Sequence, residues 1–218
     1  MPRVLATVVI LCALTLVGPA RVLAQEATPA PAISLGEVLD PAECQVEARS
    51  ADDLLALWYQ ENDAGTPVLA TPVADADMEL TSVPVPLGEP ADAETVEAVT
   101  ATVREVLACF NAGDFPRALS LFTDPLVQQF GPEPGQSPED AIAFLEATPE
   151  PAPREQRVTL LAVTDVSVMA DGRVGAFVIS DDPSGPPEGV ETELIVFVEE
   201  GGRWLVDGVA EFTAAEDE

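Results

Sequence analysis

The hydrophobic pattern of residues 92–148 is helical. Asp92 is an N-cap residue, and apolar positions then recur at steps of three and four, as on one face of an amphipathic helix: Val96, Val99, Val103, Val106, Leu107 and Phe110. Gly113 ends this helix, and Asp114 and Ser137 each begin another short one. Residues 126–130 between them are predicted to be extended. The region therefore predicts about three helices.

From residue 157 onward the pattern changes to a period of two. It predicts strands at about 157–169, 173–180, 190–199 and 203–212. Asp171-Gly172 and Gly201-Gly202 are typical of tight hairpin turns. Helices followed by an antiparallel meander predict an α+β domain over residues 92–213, with a curved sheet of four to six strands around the helices.

The same period sorts the strand residues into two faces. One face is predicted to contact the helices: Val158, Leu160, Ala162, Val166, Val168, Val190, Leu194, Val196, Val198, Trp204, Val206, Gly208, Ala210 and Phe212. The opposite face is unusually apolar for a solvated surface, with Leu161, Val163, Ile195, Phe197, Leu205 and Val209. We therefore expect a cover over it, either a second copy in a homodimer or the segment 54–58. A one-residue bulge would reverse these assignments.

Residues 1–24 have the pattern of a secretory signal peptide. Arg3 precedes the apolar run 4–17, and small or aliphatic residues precede a predicted cleavage site before Gln25. The run is short for a membrane span, although a retained signal anchor is the alternative. The sequence thus predicts a secreted or extracytoplasmic protein with no stable membrane span after cleavage.

Residues 25–91 are rich in Ala and Pro and are predicted to form a low-complexity linker. Within it, Ser50 followed by Asp53 predicts a short helix at about 50–60. This helix is expected either to pack on the domain or to act as a docking segment for a partner. Residues 214–218 are predicted to be an acidic tail.

The amino-acid composition excludes several classes of binding partner and catalytic group. The chain has 39 Asp and Glu against nine Arg, with no Lys and no His, and its formal net charge is −30. Nucleic acid and anionic lipid would repel it. The absence of His removes the commonest general base and metal ligand. No acidic loop has the spacing of a calcium site, so a solvated acidic surface is favoured over cation binding, and neither a metal nor a cofactor is predicted.

Two cysteines follow the predicted signal peptide, Cys44 and Cys109. In an oxidising compartment they could form a disulfide that joins the amino-terminal segment to the first domain helix. The alternative is a buried free Cys109 and an exposed free Cys44.

Two stretches carry a resemblance to a known family, LACFNAGDFPRALSLFTD at 107–124 and GRWLVDG at 202–208. With them, residues 92–212 resemble the NTF2-like superfamily in its SnoaL-like, cystatin-like forms. The resemblance implies a sheet that closes around helices to form a conical pocket. Members use this pocket for isomerisation, cyclisation, hydrolysis, ligand binding or assembly, so the fold does not determine the function.

The face assignment places apolar side chains around the implied pocket: Val103, Phe110, Phe122, Leu194, Val196, Trp204 and Val206. Asp207, in the middle of a strand beside Trp204, is the candidate catalytic acid or base. The leading prediction is a non-catalytic module that binds an apolar small molecule or a protein partner. The alternative is a carboxylate-dependent isomerase, cyclase or hydrolase that uses the same pocket.

Overall fold

The computed structural model describes residues 33–71, 88–183 and 190–211. The predicted signal peptide with its cleavage site, Phe212 and the acidic tail lie outside the described residues. The helices are α1 (Ala51–Trp58), α2 (Ala93–Ala112), α3 (Phe115–Ala118), α4 (Asp124–Gln129) and α5 (Pro138–Leu145). The strands are β1 (Ile33–Val38), β2 (Tyr59–Glu61), β3 (Pro67–Leu69), β4 (Glu89–Pro90), β5 (Thr159–Val168), β6 (Val174–Asp181), β7 (Val190–Glu200) and β8 (Arg203–Glu211).

A six-stranded antiparallel sheet forms the larger layer. Its order is β1-β5-β6-β7-β8, and β4 pairs with the far end of β5. Strands β2 and β3 form a separate hairpin. Gly172, Gly201 and Gly202 have positive φ angles at the two predicted hairpin turns, where a β-carbon would be strained. The α+β class and the antiparallel sheet predicted from the sequence are confirmed.

The helices begin at the residues that hydrogen-bonding rules favour. The Asp92 carboxylate accepts a hydrogen bond from the Thr95 amide at 2.8 Å, and the Ser50 hydroxyl accepts one from the Asp53 amide at 3.1 Å. The prediction of an extended segment at 126–130 is wrong, because α4 covers most of it. Asp124 and Pro125 occupy the first turn of α4, where both residue types are favoured.

Part of the predicted linker belongs to the core of the domain. Leu39 and Leu54 are fully buried, Trp58 is 5% exposed, and β1 pairs along β5. Helix α1 packs against α4 and α5. The domain therefore includes residues from position 33, not only from 92. Proline content suggested a linker, but a few widely spaced apolar side chains are enough to anchor this segment.

The assignment of the sheet faces was partly wrong. The core shared with α2 contains Val163, Ile195, Phe197 and Val209, which were predicted to face away from the helices. Leu194 and Val196, predicted to face the helices, are buried outside that core. Because β7 is apolar at every position from 194 to 198, its period of two could not identify the inner face.

Bulges account for the other errors. The register shifts between Leu160 and Ala162 and between Thr164 and Ser167 on β5. It shifts again between β7 and β8, where Asp207 is the extra residue. Each bulge moves the following side chains to the opposite face, so Ala162, Gly208 and Ala210 leave the predicted inner face. Asp165, at the second bulge of β5, has a φ of 53°.

Candidate functional site

A cavity of about 500 Å³ lies between α2 and the adjoining ends of β6 and β7. Its apolar wall consists of Leu107, Phe110, Phe115, Ala152 and Val158. Its polar lining consists of Asn111, Gln156, Ser180, Asp182, Glu191 and Glu193. This volume lies within the roughly 300–1,000 Å³ of typical small-molecule sites.

Asn111 connects three parts of the chain at the cavity through hydrogen bonds. Its side-chain amide donates to the carbonyl oxygens of Leu39 at 3.2 Å and Val158 at 3.1 Å, and its Oδ1 accepts from the Val158 amide at 2.9 Å. Asn111 is almost fully buried, so these bonds replace the water that its amide would otherwise need. Asn111 thus joins α2 to the chain beside β1 and β5, and its hydrogen-bonding groups are used for structure.

Glu191 and Glu193 place carboxylates on the helix-covered side of β7. They lie opposite Ser180 and Val178 of β6, and Val178 belongs to the core shared with α2. Both glutamates are half-buried at the cavity. The described lining holds three carboxylates, and Arg157, which is bonded to one of the lining residues, donates to the Ala152 carbonyl, so the electrostatic potential inside is expected to be negative.

The aromatic part of the wall is organised around Phe110. Its ring contacts that of Phe115 at 5.8 Å and that of Phe122 at 6.3 Å, both edge to face. This geometry places the positive ring edge against the negative ring face and favours a fixed arrangement. Phe110 is half-buried, so part of its ring faces the cavity.

Of the seven predicted pocket residues, Phe110 lines this cavity. Val103, Phe122 and Val206 are buried in the core instead, and Trp204 packs against that core while its carbonyl accepts a hydrogen bond from Thr102. Leu194 and Val196 of β7 are buried outside that core. Sequence reasoning missed Leu107, Phe115, Glu191 and Glu193 as lining residues. The alternation of Glu191 and Glu193 with Thr192 along β7 was the available signal, because it places both carboxylates on one face of the strand.

Asp207 lies outside the cavity and is engaged by two side chains. Its carboxylate accepts hydrogen bonds from Arg173 Nη1 at 2.9 Å and from the Thr123 hydroxyl at 3.1 Å. Arg173 also pairs with Asp171 at 2.8 Å. Hydrogen bonds to Asp171 and then to Asp207 raise the pKa of Arg173. The bulge at Asp207 therefore directs its carboxylate to a cation that connects β8 to the β5–β6 turn.

Cys44 and Cys109 form a disulfide, with their Cα atoms 4.7 Å apart. The bond joins the segment after β1 to α2, and Cys109 is completely buried. Arg104 of α2 reinforces the same contact, since it pairs with Glu37 at 3.1 Å and with Glu43 at 2.9 Å. The disulfide and these ion pairs fix the amino-terminal segment beside the helix that lines the cavity.

The described residues contain no cluster of three or more potential ligand side chains that could hold a metal ion. In the same part of the chain, no helix has the length and apolarity to cross a membrane.

No family model, no curated protein and no solved structure matches the chain. The resemblance to the NTF2-like superfamily therefore stays a prediction.

Proposed function

We propose that this chain is a secreted NTF2-like module that binds a small apolar molecule without transforming it. The observation that carries the proposal is the cavity of about 500 Å³, with Leu107, Phe110 and Phe115 in its wall. An apolar ligand would gain roughly 25 cal/mol for each Å² of its surface that leaves water. The six-stranded antiparallel sheet packed against α2 supports the NTF2-like part of the proposal.

The carboxylates of the cavity also limit the charge that the ligand can carry. Glu191, Glu193 and Asp182 border a space that also has a phenylalanine wall. Carboxylates repel anions and attract cations, and they accept hydrogen bonds from neutral donors. The proposed ligand therefore has an apolar body and a polar end that is neutral or positively charged.

Binding is better supported than catalysis by the position of the predicted acid. Asp207 is paired with Arg173 and does not line the cavity. A general base in this chain would also have to be a group other than His. The alternative isomerase, cyclase or hydrolase would need Asp182, Glu191 or Glu193 as its base, because these carboxylates border the cavity.

Two further parts of the proposal concern location and assembly. The Cys44–Cys109 disulfide supports an oxidising, extracytoplasmic compartment, as does the pattern of residues 1–24. We keep the homodimer through the outer sheet face as a proposal, although Leu194 and Val196 are already buried within the single chain and would not form its contact surface. Light scattering over a range of concentrations tests it, and a protein that stays monomeric at every concentration would remove the dimer.

Binding of the neutral dye Nile red tests the cavity. Leu107→Trp should narrow it and weaken Nile red binding by about tenfold, a loss of about 1.4 kcal/mol, because the dye and the indole compete for part of the same space. Val68→Trp is the matched control, since Val68 is an exposed residue of β3 outside the cavity. Fluorescence titration measures both, after thermal melts establish that the variants are folded.

A charge comparison makes the same experiment more specific. The anionic dye ANS should bind more weakly than Nile red, and Glu191→Gln should improve ANS binding by reducing the negative charge at the cavity. Equal Nile red binding by Leu107→Trp and the unaltered protein would contradict the proposed site. Stronger binding of ANS than of Nile red would contradict the proposed ligand class.

A further inference from the structure

Three phenylalanines of the described chain are exposed, and all three border one groove. Phe115 is 40% exposed, Phe130 46% and Phe144 54%. They line a groove of about 550 Å³ together with Trp58, Pro132 and Pro134, which we name the aromatic groove. Exposed aromatic side chains concentrated at one place are unusual on a solvated surface and are typical of protein-binding sites.

The walls of the aromatic groove are held in place by hydrogen bonds. The Trp58 indole donates to the Val127 carbonyl at 2.9 Å, and the Tyr59 hydroxyl donates to the Gln136 carbonyl at 3.1 Å. The Glu133 amide donates to the Gln136 side chain at 3.2 Å. A groove that is already ordered loses little conformational entropy when a partner binds.

Ring contacts fix two of the exposed phenylalanines. The Phe144 ring lies 5.4 Å from that of Phe115, and the Phe130 ring lies 5.3 Å from that of the buried Phe122. Each of these two rings therefore packs against a neighbouring phenylalanine ring and leaves the remainder of its surface open to solvent. This arrangement presents a rigid apolar surface of the kind that receives one anchoring side chain.

The charge inside the aromatic groove is negative, and the two arginines of the adjoining cleft at Phe115 and Phe144, Arg49 and Arg117, each pair with an aspartate. Glu133 is the one charged residue among its described lining residues. Burial, followed by the nearby carboxylates of Asp140 and Glu139, raises the pKa of Tyr59 beside the groove. The chain as a whole carries a formal charge of −30, so a second copy of it would be repelled from this surface.

We propose that the aromatic groove docks a segment of a partner protein that is basic and inserts an aromatic or leucine side chain between Phe115, Phe130 and Phe144. The apolar anchor matches the exposed rings, and flanking Arg or Lys residues match the acidic surroundings. This function goes beyond small-molecule binding and uses a different site, because Phe130 and Phe144 do not line the cavity beside α2.

Selection from a phage library of random 12-residue peptides tests the docking surface with a defined probe. The purified protein should enrich peptides that combine net positive charge with at least one Trp, Phe or Leu. For the synthetic form of an enriched peptide, Phe130→Ser and Phe144→Ser should each raise the Kd by about tenfold or more. Val190→Ser, which removes an exposed apolar side chain of β7 far from the groove residues in sequence, should leave the Kd unchanged.

Three results would overturn the proposal. The first is enrichment of neutral or acidic peptides. The second is equal peptide binding by the unaltered protein and by the two serine variants, once circular dichroism has shown that the variants are folded. The third is a homodimer that dissociates on Phe130→Ser, since the groove would then be occupied by a second copy. Leu107→Trp should not change peptide binding, so this test can succeed or fail independently of the small-molecule site.

Discussion

Gly113 shows how one residue determines the end of the helix that lines the cavity. Its φ is 67°, in the left-handed region, and its amide donates to the Cys109 and Phe110 carbonyls at the end of α2. An added β-carbon would lie 2.5 Å from the carbonyl oxygen of Glu150. Both the backbone conformation and the close approach therefore require glycine, and the sequence indicated the first of these reasons only.

Gly113→Ala is expected to lower the free energy of unfolding by about 2 kcal/mol or more, from left-handed strain plus the overlap with Glu150. Gly65→Ala is the matched control, because Gly65 has a φ of 70° and a β-carbon added there would meet no atom within 4 Å. It should cost only about 1 kcal/mol. Urea denaturation measures the unfolding free energies of both variants. Equal losses would show that the Glu150 carbonyl moves aside without an energetic penalty.

The ion pair between Arg173 and Asp171 makes stability depend on pH. The hydrogen bond from Arg173 lowers the pKa of Asp171 below its ordinary value. A lowered pKa in the folded state stabilises the fold at pH values above the unfolded pKa of about 3.9. This contribution is lost as the pH falls through the lower folded pKa, when the Asp171 carboxylate becomes protonated.

Arg173→Gln is therefore expected to destabilise the protein by about 1–2 kcal/mol near pH 6. The difference between variant and unaltered protein should shrink as the pH falls from about 5 to below about 3.9. Urea denaturation at several pH values gives this difference directly. A gap that stays constant or widens in acid would rule out the ionised Asp171 as its source.

The disulfide is the main covalent constraint between elements. It closes a loop over a sequence separation of 65 residues that includes α1 and connects the end of the β1 segment to α2. Closing such a loop lowers the conformational entropy of the unfolded chain. In the chain-entropy model this raises the free energy of the unfolded state by about 4 kcal/mol.

A variant with Cys44→Ala and Cys109→Ala should therefore lose about 3–4 kcal/mol of unfolding free energy. Reducing agent should destabilise the unaltered protein by a similar amount and leave the double variant unchanged, which separates the bond from the lost sulfur contacts. If the reducing agent acts equally on both proteins, or on neither, the proposed constraint on the unfolded chain is absent.

Several elements could be predicted from local signals, and others could not. Ser50, Asp92 and Ser137 mark helix starts through bonds within a few residues, and the glycine turns mark the hairpins. The inner face of β7 is determined by packing across the molecule, since both of its faces are apolar between 194 and 198. The bulge at Asp207 depends on its register with β7, which no local pattern specifies.

The same distinction applies to the site. Phe110 was identified because it lies on the apolar stripe of α2. Phe115 and Glu191 were missed because the chain brings them together from positions 76 residues apart, and only the tertiary fold places both at one cavity. Asp207 was chosen for its position in the strand, whereas its cation, Arg173, comes from the β5–β6 turn.

At the scale of the whole molecule, the net charge and the apolar concavities indicate different functions. A formal charge of −30 favours a soluble chain that avoids anions. Two apolar concavities of the described chain, the cavity beside α2 and the aromatic groove, meet at Phe115. We expect the first to hold a small molecule and the second to receive a basic partner segment.

Native mass spectrometry of the protein purified from its producing cells tests small-molecule binding most directly. The proposal predicts a non-covalent adduct, neutral or cationic and apolar, that is present with the unaltered protein and with Val68→Trp. Leu107→Trp, with its cavity narrowed, should carry much less of the adduct. An unaltered protein without any adduct that also fails to bind Nile red, or an adduct retained by Leu107→Trp in undiminished amount, would contradict the proposed site.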